Sequence, residues 1–258
     1  DGNTHPSVID LIVRRNMKLL VVNPNTSDAM TEDIRATVDR VRMPGVEVEI
    51  AGVDFGPESL ESFYDYTLAA FALCRFLENA KEKYDGIMIA CFGDPGLYAV
   101  KEICQCPVLG IAETSMAVSL LLGSRFAILA ASEKAVSMMD NMVDQYGMEY
   151  RYAGVFPLNM SVLDAEENSE KTIQRLIDQG REAIRRGAEV LILGCAGMTG
   201  YHDPVSKALG VPVLDPVEVT FLQLEMLCRG KIETSKAGLY KNPDAKKIKN
   251  KMLLVDNL

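Results

Sequence analysis

Short apolar runs, many of them β-branched, alternate along this chain with longer segments in which apolar residues recur at helical spacing. The strand-like runs are 18–22, 46–51, 86–91, 108–111, 125–130, 152–156, 190–195 and 213–214. Amphipathic helices are predicted between them at 28–42, 64–83, 97–104, 133–146, 170–186 and 217–228. Strand-sized runs separated by helix-sized ones are the pattern of an α/β fold with a largely parallel sheet, because parallel neighbours need a crossover long enough to hold a helix.

The pattern then repeats. Residues 85–91, ending in Cys91, lead through a helix to Cys106-Pro107-Val108-Leu109-Gly110. Residues 188–195, ending in Cys195, likewise lead through a helix to Val211-Pro212-Val213-Leu214-Asp215. The two cysteines are 104 positions apart, and the opening strands at Lys18 and Arg125 are 107 apart. A repeat of this length predicts two pseudo-symmetric α/β domains, since solenoid units run only about 20 to 50 residues. The division expected is an N-terminal extension over 1–16, a first domain of 17–112 plus 221–258, and a second of 113–220. Ligands of open α/β sheets bind beyond the carboxyl ends of the strands, so each cysteine would stand on one wall of an interdomain cleft that holds the active site.

Composition narrows the partners. At 258 residues and 48% apolar the chain can bury a sizeable core, and its net charge of −9 with a pI near 4.9 lacks the basic surface that nucleic acid or an anionic membrane requires. A small-molecule substrate is expected instead. No apolar run reaches the roughly 18 residues that would span a bilayer, and nothing resembles a signal peptide, so a cytoplasmic location is expected. Met17, directly before a strand, is read as the natural start. Six cysteines in such a chain are expected as reduced thiols. Without a secretory signal, the glycosylation-like Asn25-Thr26-Ser27 and Asn159-Met160-Ser161 carry no weight.

The candidate chemistry gathers at the strand ends. Cys91-Phe92-Gly93-Asp94-Pro95-Gly96 is read as a strand end, a tight turn and a helix start, with Asp94 at the N-cap and Pro95 at the first helical position. Unpaired amides and a helix N-terminus there would lower a thiol's pKa and hold a substrate oxyanion. Cys195-Ala196-Gly197-Met198 supplies a similar small, amide-rich turn. Asn23-Pro24-Asn25-Thr26-Ser27, after the first strand, serves either polar recognition or turn and capping chemistry. Other chemistries lack parts. The histidines a cysteine hydrolase needs are His5, in the prefix, and His202, expected in a surface loop. Cys104 and Cys106 lack two further ligands for a tetrahedral metal set, Lys134 is expected as a solvated helix-start lysine, and no glycine-rich nucleotide loop follows a strand. The lysine-rich tail from Lys231 is expected as a solvated helix or frayed end.

With these residues in view, the chain resembles the Asp/Glu/hydantoin racemase superfamily, and within it the hydantoin and allantoin racemases. The resemblance rests on Asn23 to Ser27, on Ala90-Cys91-Phe92-Gly93-Asp94-Pro95-Gly96, on Gly110-Ile111-Ala112-Glu113 and on Leu193-Gly194-Cys195-Ala196-Gly197-Met198. It implies a cofactor-independent isomerase, a homo-oligomer, and a C-terminal helix that packs back on the first domain. Cys91 and Cys195 would be the catalytic acid/base pair, with Asn23, Asn25, Phe92, Gly93, Asp94, Ser132, Ala196, Gly197 and Met198 binding substrate and no metal site. The sequence departs from the family's usual stretches at Ala130 to Lys134 and Phe156 to Met160, both expected to shape the pocket.

The activity implied is racemisation of a 5-substituted hydantoin or allantoin-like ureide, one cysteine taking the α-proton as thiolate and the other delivering a proton to the opposite face. Amides near Phe92, Gly93, Ala196 and Gly197 would stabilise the enolate oxygen. The rival readings are an amino-acid racemase or a decarboxylase of the same superfamily, and a small-molecule binding module. The superfamily's arylmalonate decarboxylase keeps only the second cysteine, so retention of Cys91 favours racemisation.

Overall fold

A computed structural model describes residues 17–78, 80, 84–161, 164 and 168–246. The prefix with His5, and the tail beyond 246, lie outside them. The eight strands are β1 (Met17–Asn23), β2 (Val46–Gly52), β3 (Gly86–Ile89), β4 (Val108–Gly110), β5 (Phe126–Ala130), β6 (Tyr152–Pro157), β7 (Val190–Leu193) and β8 (Val213–Leu214). They form two four-stranded parallel sheets, ordered β2-β1-β3-β4 and β6-β5-β7-β8. The same order in each half is the internal repeat made visible.

The helices are α1 (Asp28–Val41), α2 (Phe63–Glu78), α3 (Leu97–Ile103), α4 (Ile111–Leu122), α5 (Glu133–Gln145), α6 (Ser169–Arg185), α7 (His202–Leu209) and α8 (Pro216–Arg229). Residues 81–83, at the end of the helix predicted over 64–83, lie outside the described residues. The pattern of periodicity missed α4. Its sequence, IAETSMAVSLLL, has little polar face because Ile111, Ala112, Ser115, Met116 and Ser119 are all buried where it packs between the halves and against α8.

Alternate strand residues point to opposite faces, and this divides the core into layers. Leu19, Val21, Met88, Ile128 and Ile192 face a shared core between the sheets, filled by Ile34 of α1, Ile111 of α4 and Phe221 of α8. Leu20, Val22, Ile87 and Ile89 face outward onto α2 and α3, while Leu129, Leu191 and Leu193 pack on α6 and α7. The four inner strands, β1, β3, β5 and β7, are apolar on two faces, as buried parallel strands must be.

The expected domain boundaries, 112/113 and 220/221, fall inside α4 and α8. Helix α8 lies against β3 and β4, where the Cys228 thiol donates to the Asp85 carbonyl at 3.2 Å. Over 231–246 the tail forms no helix, one of the two forms expected for it. It runs along the first half instead, with Lys236 Nζ donating to the carbonyls of Lys101 and Glu102 and Tyr240 stacking near Tyr98. No helix among the described residues is long and apolar enough to cross a membrane, and none of the six cysteines forms a disulfide.

Candidate active site

Each half ends its third strand two residues before a cysteine: β3 stops at Ile89 ahead of Cys91, and β7 at Leu193 ahead of Cys195. The intervening residues are held alike. Ala90 N–H donates to the Val22 carbonyl and Gly194 N–H to the Leu129 carbonyl, both at 2.8 Å, so each thiol leaves the sheet from an equivalent place on its carboxyl edge.

Cys91 and Cys195 line one narrow cavity of about 40 Å³, with Asn25, Met30, Tyr66, Phe92, Ser132 and Ala196 among its other walls. A larger cavity of about 220 Å³ adjoins it, walled by Phe63, Gly93, Asp94, Leu97, Met142 and Tyr146 among others. Tyr66, Phe92, Met138 and Met139 line both. The predicted set is therefore brought together in part. Asn25, Cys91, Phe92, Ser132, Cys195 and Ala196 face the inner cavity, and Gly93 and Asp94 the outer one. Asn23, Gly197 and Met198 stand behind the walls. Asn23 is fully buried and gives its amide to Asn25 Oδ1 at 2.7 Å and Thr31 Oγ1 at 3.0 Å, while Met198 belongs to the core of the second sheet.

In the segment from Asn23 to Ser27 the turn and capping bonds are found, and Asn25 also lines the inner cavity. Ser27 is the N-cap of α1, accepting from Met30 N–H at 3.1 Å. Asn25 Oδ1 accepts from Ser27 N–H at 2.9 Å, which fixes the side chain against the cavity.

Asp94 does not cap the helix that follows it. Gly96 is the N-cap of α3, in the left-handed region at φ 74°, and the helix starts at Leu97. A Cβ at Gly96 would meet Ala70 of α2 at 3.2 Å, so the turn is both left-handed and tight. Asp94 itself lies at φ 42°, and its carboxylate reaches across to the start of α4. Oδ1 accepts from Ala112 N–H at 3.0 Å, and Oδ2 from Glu113 N–H at 2.8 Å and the Tyr146 hydroxyl at 2.8 Å. The loop carrying Cys91 is thus pinned to α4 and, through Tyr146, to the second half. Burial raises the Asp94 pKa to about 6 against the pull of these three donors.

The second half makes the same tie from the opposite end. Asp215, the N-cap of α8, accepts from Val217 N–H at 3.0 Å and Glu218 N–H at 3.3 Å. Its other oxygen accepts from the Thr199 hydroxyl and Gly200 N–H, both at 2.7 Å, in the loop after Cys195. In each half a buried carboxylate joins the cysteine loop to the N-terminus of the helix after the fourth strand.

The expected lowering of the thiol pKa is not found at Cys91. Burial, the nearby Cys195 and Asp94 push it well above the ordinary value, and the opposing bond from Gly93 N–H is too weak to reverse this. His202 is likewise no surface loop residue. It opens α7 with its side chain only 18% exposed, its ring nitrogens 3.6 to 3.8 Å from Asp203, Asp215 and Glu218. Both Asp215 oxygens are already taken by the four donors above, and Arg40 holds Glu218 at 3.0 Å. Cys104 is fully buried, and Lys134 is exposed at the start of α5 as expected.

Reading by motif missed Tyr66, Met138, Met139, Met142 and Tyr146. They stand on α2 and α5, and at the end of α5, within ordinary amphipathic patterns, and only the folding of α2 and α5 over the strand ends turns them toward the two cavities.

Doubled 2-1-3-4 parallel sheets with a thiol after the third strand of each define a two-lobed α/β protein with a paired-cysteine cleft. The Asp/Glu/Hydantoin racemase family model matches residues 19–224. A hydantoin racemase of Pseudomonas sp. (strain NS671) is 36% identical over 232 residues, covering 89% of this chain and 93% of that protein. An allantoin racemase from Klebsiella pneumoniae superposes with a TM-score of 0.86 at 32% identity, covering 93% of this chain and 99% of that one. An allantoin racemase from Pseudomonas fluorescens gives 0.87 at 31% identity, covering 90% and 99%. The chain belongs to the Asp/Glu/hydantoin racemase family, and it is an isomerase.

Proposed function

We propose that this protein racemises a neutral 5-substituted hydantoin, or an allantoin-like ureide, by proton transfer between two cysteines and without a cofactor. The observation that carries the reading is the approach of Cys91 and Cys195 to one cavity from equivalent positions in the two halves. The two domains are taken as 17–112 with 221–258 and as 113–220, joined through α4 and α8. One sulfur, as thiolate, takes the proton from the ring carbon, and the C–H electron pair moves into the adjacent carbonyl as an enolate. The other sulfur, as thiol, gives its proton to the opposite face, and the pair returns to carbon. A ring carbonyl that delocalises the charge suits general acid/base groups worth about 10²- to 10⁴-fold each.

The charge of the walls selects among substrates. Among the described residues lining the two cavities none is Lys, Arg or His, whereas Glu61 and Asp94 are acidic. An acidic amino acid or a malonate would bring carboxylates to a site without a cation, so a neutral ring is favoured over both rival enzymatic substrates. The inner cavity has room for little beyond the reacting centre, and the ring substituent is assigned to the adjoining chamber. Six thiols without a disulfide support a cytoplasmic location. Homo-oligomerisation is supported by Leu222 and Met226, one turn apart on α8 and 38% and 52% exposed.

The test is NMR of 5-substituted hydantoins and allantoin in D₂O, following loss of the α-proton beside optical rotation. Wild type should exchange and racemise, and Cys91→Ser and Cys195→Ser should each lose racemisation. Intact racemisation in either variant would overturn the two-thiol reading, and ligand binding without deuterium uptake would favour a binding module.

A further inference from the structure

We propose that Tyr66 is a third catalytic residue, donating a hydrogen bond from its neutral hydroxyl to the substrate carbonyl oxygen on which the enolate charge collects. This rests on the racemase reading above and adds to it the group that stabilises the intermediate.

Four residues line both cavities, and Tyr66 is the one whose side chain carries a hydrogen-bond donor, Phe92, Met138 and Met139 having none. Its place is fixed by local structure. Tyr66 sits in the first turn of α2, where its N–H donates to the Ser62 carbonyl at 3.0 Å, and Phe63 stacks edge-on at 6.3 Å between ring centroids. The ring lies directly on Gly93, two residues beyond Cys91. A Cβ there would fall 2.6 Å from the Tyr66 hydroxyl oxygen and closer still to the ring. The glycine of the Cys91 loop thus makes the room in which the phenol reaches the site.

The chemistry requires a donor in this position. Two sulfurs that act on opposite faces of a planar enolate occupy the space above and below it, so the oxygen must be met edgewise. The Gly93 amide, which the sequence suggested for this task, favours the Cys91 thiolate, and Tyr66 brings a side-chain donor to the same loop. Tyr66 feels both thiols and Asp94, and burial together with these three groups holds its phenol far from ionisation. It therefore keeps its proton while either thiol is charged, which a reaction whose two sulfurs exchange roles in opposite directions demands. A donor already in place strengthens its bond as negative charge grows on oxygen, and losing one such donor costs about 10²- to 10³-fold in kcat.

The experiment compares Tyr66→Phe with wild type on a racemised hydantoin across pH, with melting curves to confirm an unchanged fold. The expected result is a fall in kcat of about 10²-fold, KM within about threefold, and an acid limb of kcat/KM at the wild-type pH. Wild-type kcat in Tyr66→Phe would overturn the proposal, and so would a loss fully recovered at higher pH, which would mean that Tyr66 only tunes a thiol. Cys91→Ser and Cys195→Ser run alongside separate this failure from that of the underlying reading. If both serine variants are dead and Tyr66→Phe is fully active, only the role of Tyr66 falls. If the serine variants still racemise, the two-thiol mechanism falls with it.

Discussion

The Tyr146 hydroxyl, at the end of α5 in the second half, donates to Oδ2 of Asp94 in the Cys91 loop of the first half at 2.8 Å. This bond spans the cleft and helps to hold the Asp94 charge, since it lowers a carboxyl pKa that burial raises. Tyr146→Phe keeps the ring, which packs edge-on to Tyr98 at 6.5 Å, and removes only the donor. The variant should lose about 1.5 to 3 kcal/mol of stability at neutral pH, the range for a hydrogen bond to a charged group. The Asp94 pKa should rise above about 6. Urea unfolding reads the first effect and an NMR titration of Asp94 the second; an unmoved pKa would mean that the hydroxyl does not hold the carboxylate in solution.

Asp94 also sets a pH dependence whose sign follows from its environment. A carboxyl raised from 3.8 to about 6 by burial favours the protonated folded state. Its contribution to stability is full below about pH 4 and is lost as pH rises through 6, about 3 kcal/mol in all. Asp94→Asn removes the titration and keeps the shape. Wild type should therefore lose stability relative to this variant between pH 4 and pH 7, as measured by urea midpoints at both ends. Parallel stability curves for the two proteins would contradict it.

The eight strands and the equivalence of Cys91 and Cys195 were legible because buried parallel strands are written as unbroken apolar runs, and because the repeat put both cysteines at the same point of one pattern. Helix α4 was not legible, since its exposed positions include Ala117, Leu121 and Leu122, so apolar residues continue around it and no polar face marks the period. Asp94 misled for a local reason. Asp-Pro before a helix is what a capping sequence looks like, but the left-handed turn at Gly96 delays the helix and frees the carboxylate for amides 18 and 19 residues away. No local rule reaches a bond between loops that only the sheet order brings together. Tyr66 and the methionines of α5 were hidden likewise, because core-facing and cleft-facing residues have the same helical spacing and differ only in what the fold sets opposite them.

The outer chamber supplies the prediction that bears on substrate choice. Its inner walls are Phe92, Leu97, Met138, Met139 and Met142, all buried, while Asn141 and Gln145 stand exposed at its rim. Flexible thioethers adapt to large apolar groups of differing shape, so with the reacting carbon between the sulfurs an arylmethyl or thioether substituent should be accepted there. Met142 lines this chamber and not the thiol cavity, which allows the substituent to be tested apart from the chemistry. Met142→Ala should cost about 2 to 5 kcal/mol of stability as a core truncation. Independently, kcat/KM for 5-benzylhydantoin should fall about 10-fold or more relative to 5-methylhydantoin, because only the larger substituent reaches the missing side chain. The measurement is the ratio of the two values in wild type and variant at a temperature where both are folded. Equal losses on both substrates would place the substituent elsewhere, whereas a changed ratio with α-proton exchange from 5-methylhydantoin intact would locate it in this chamber.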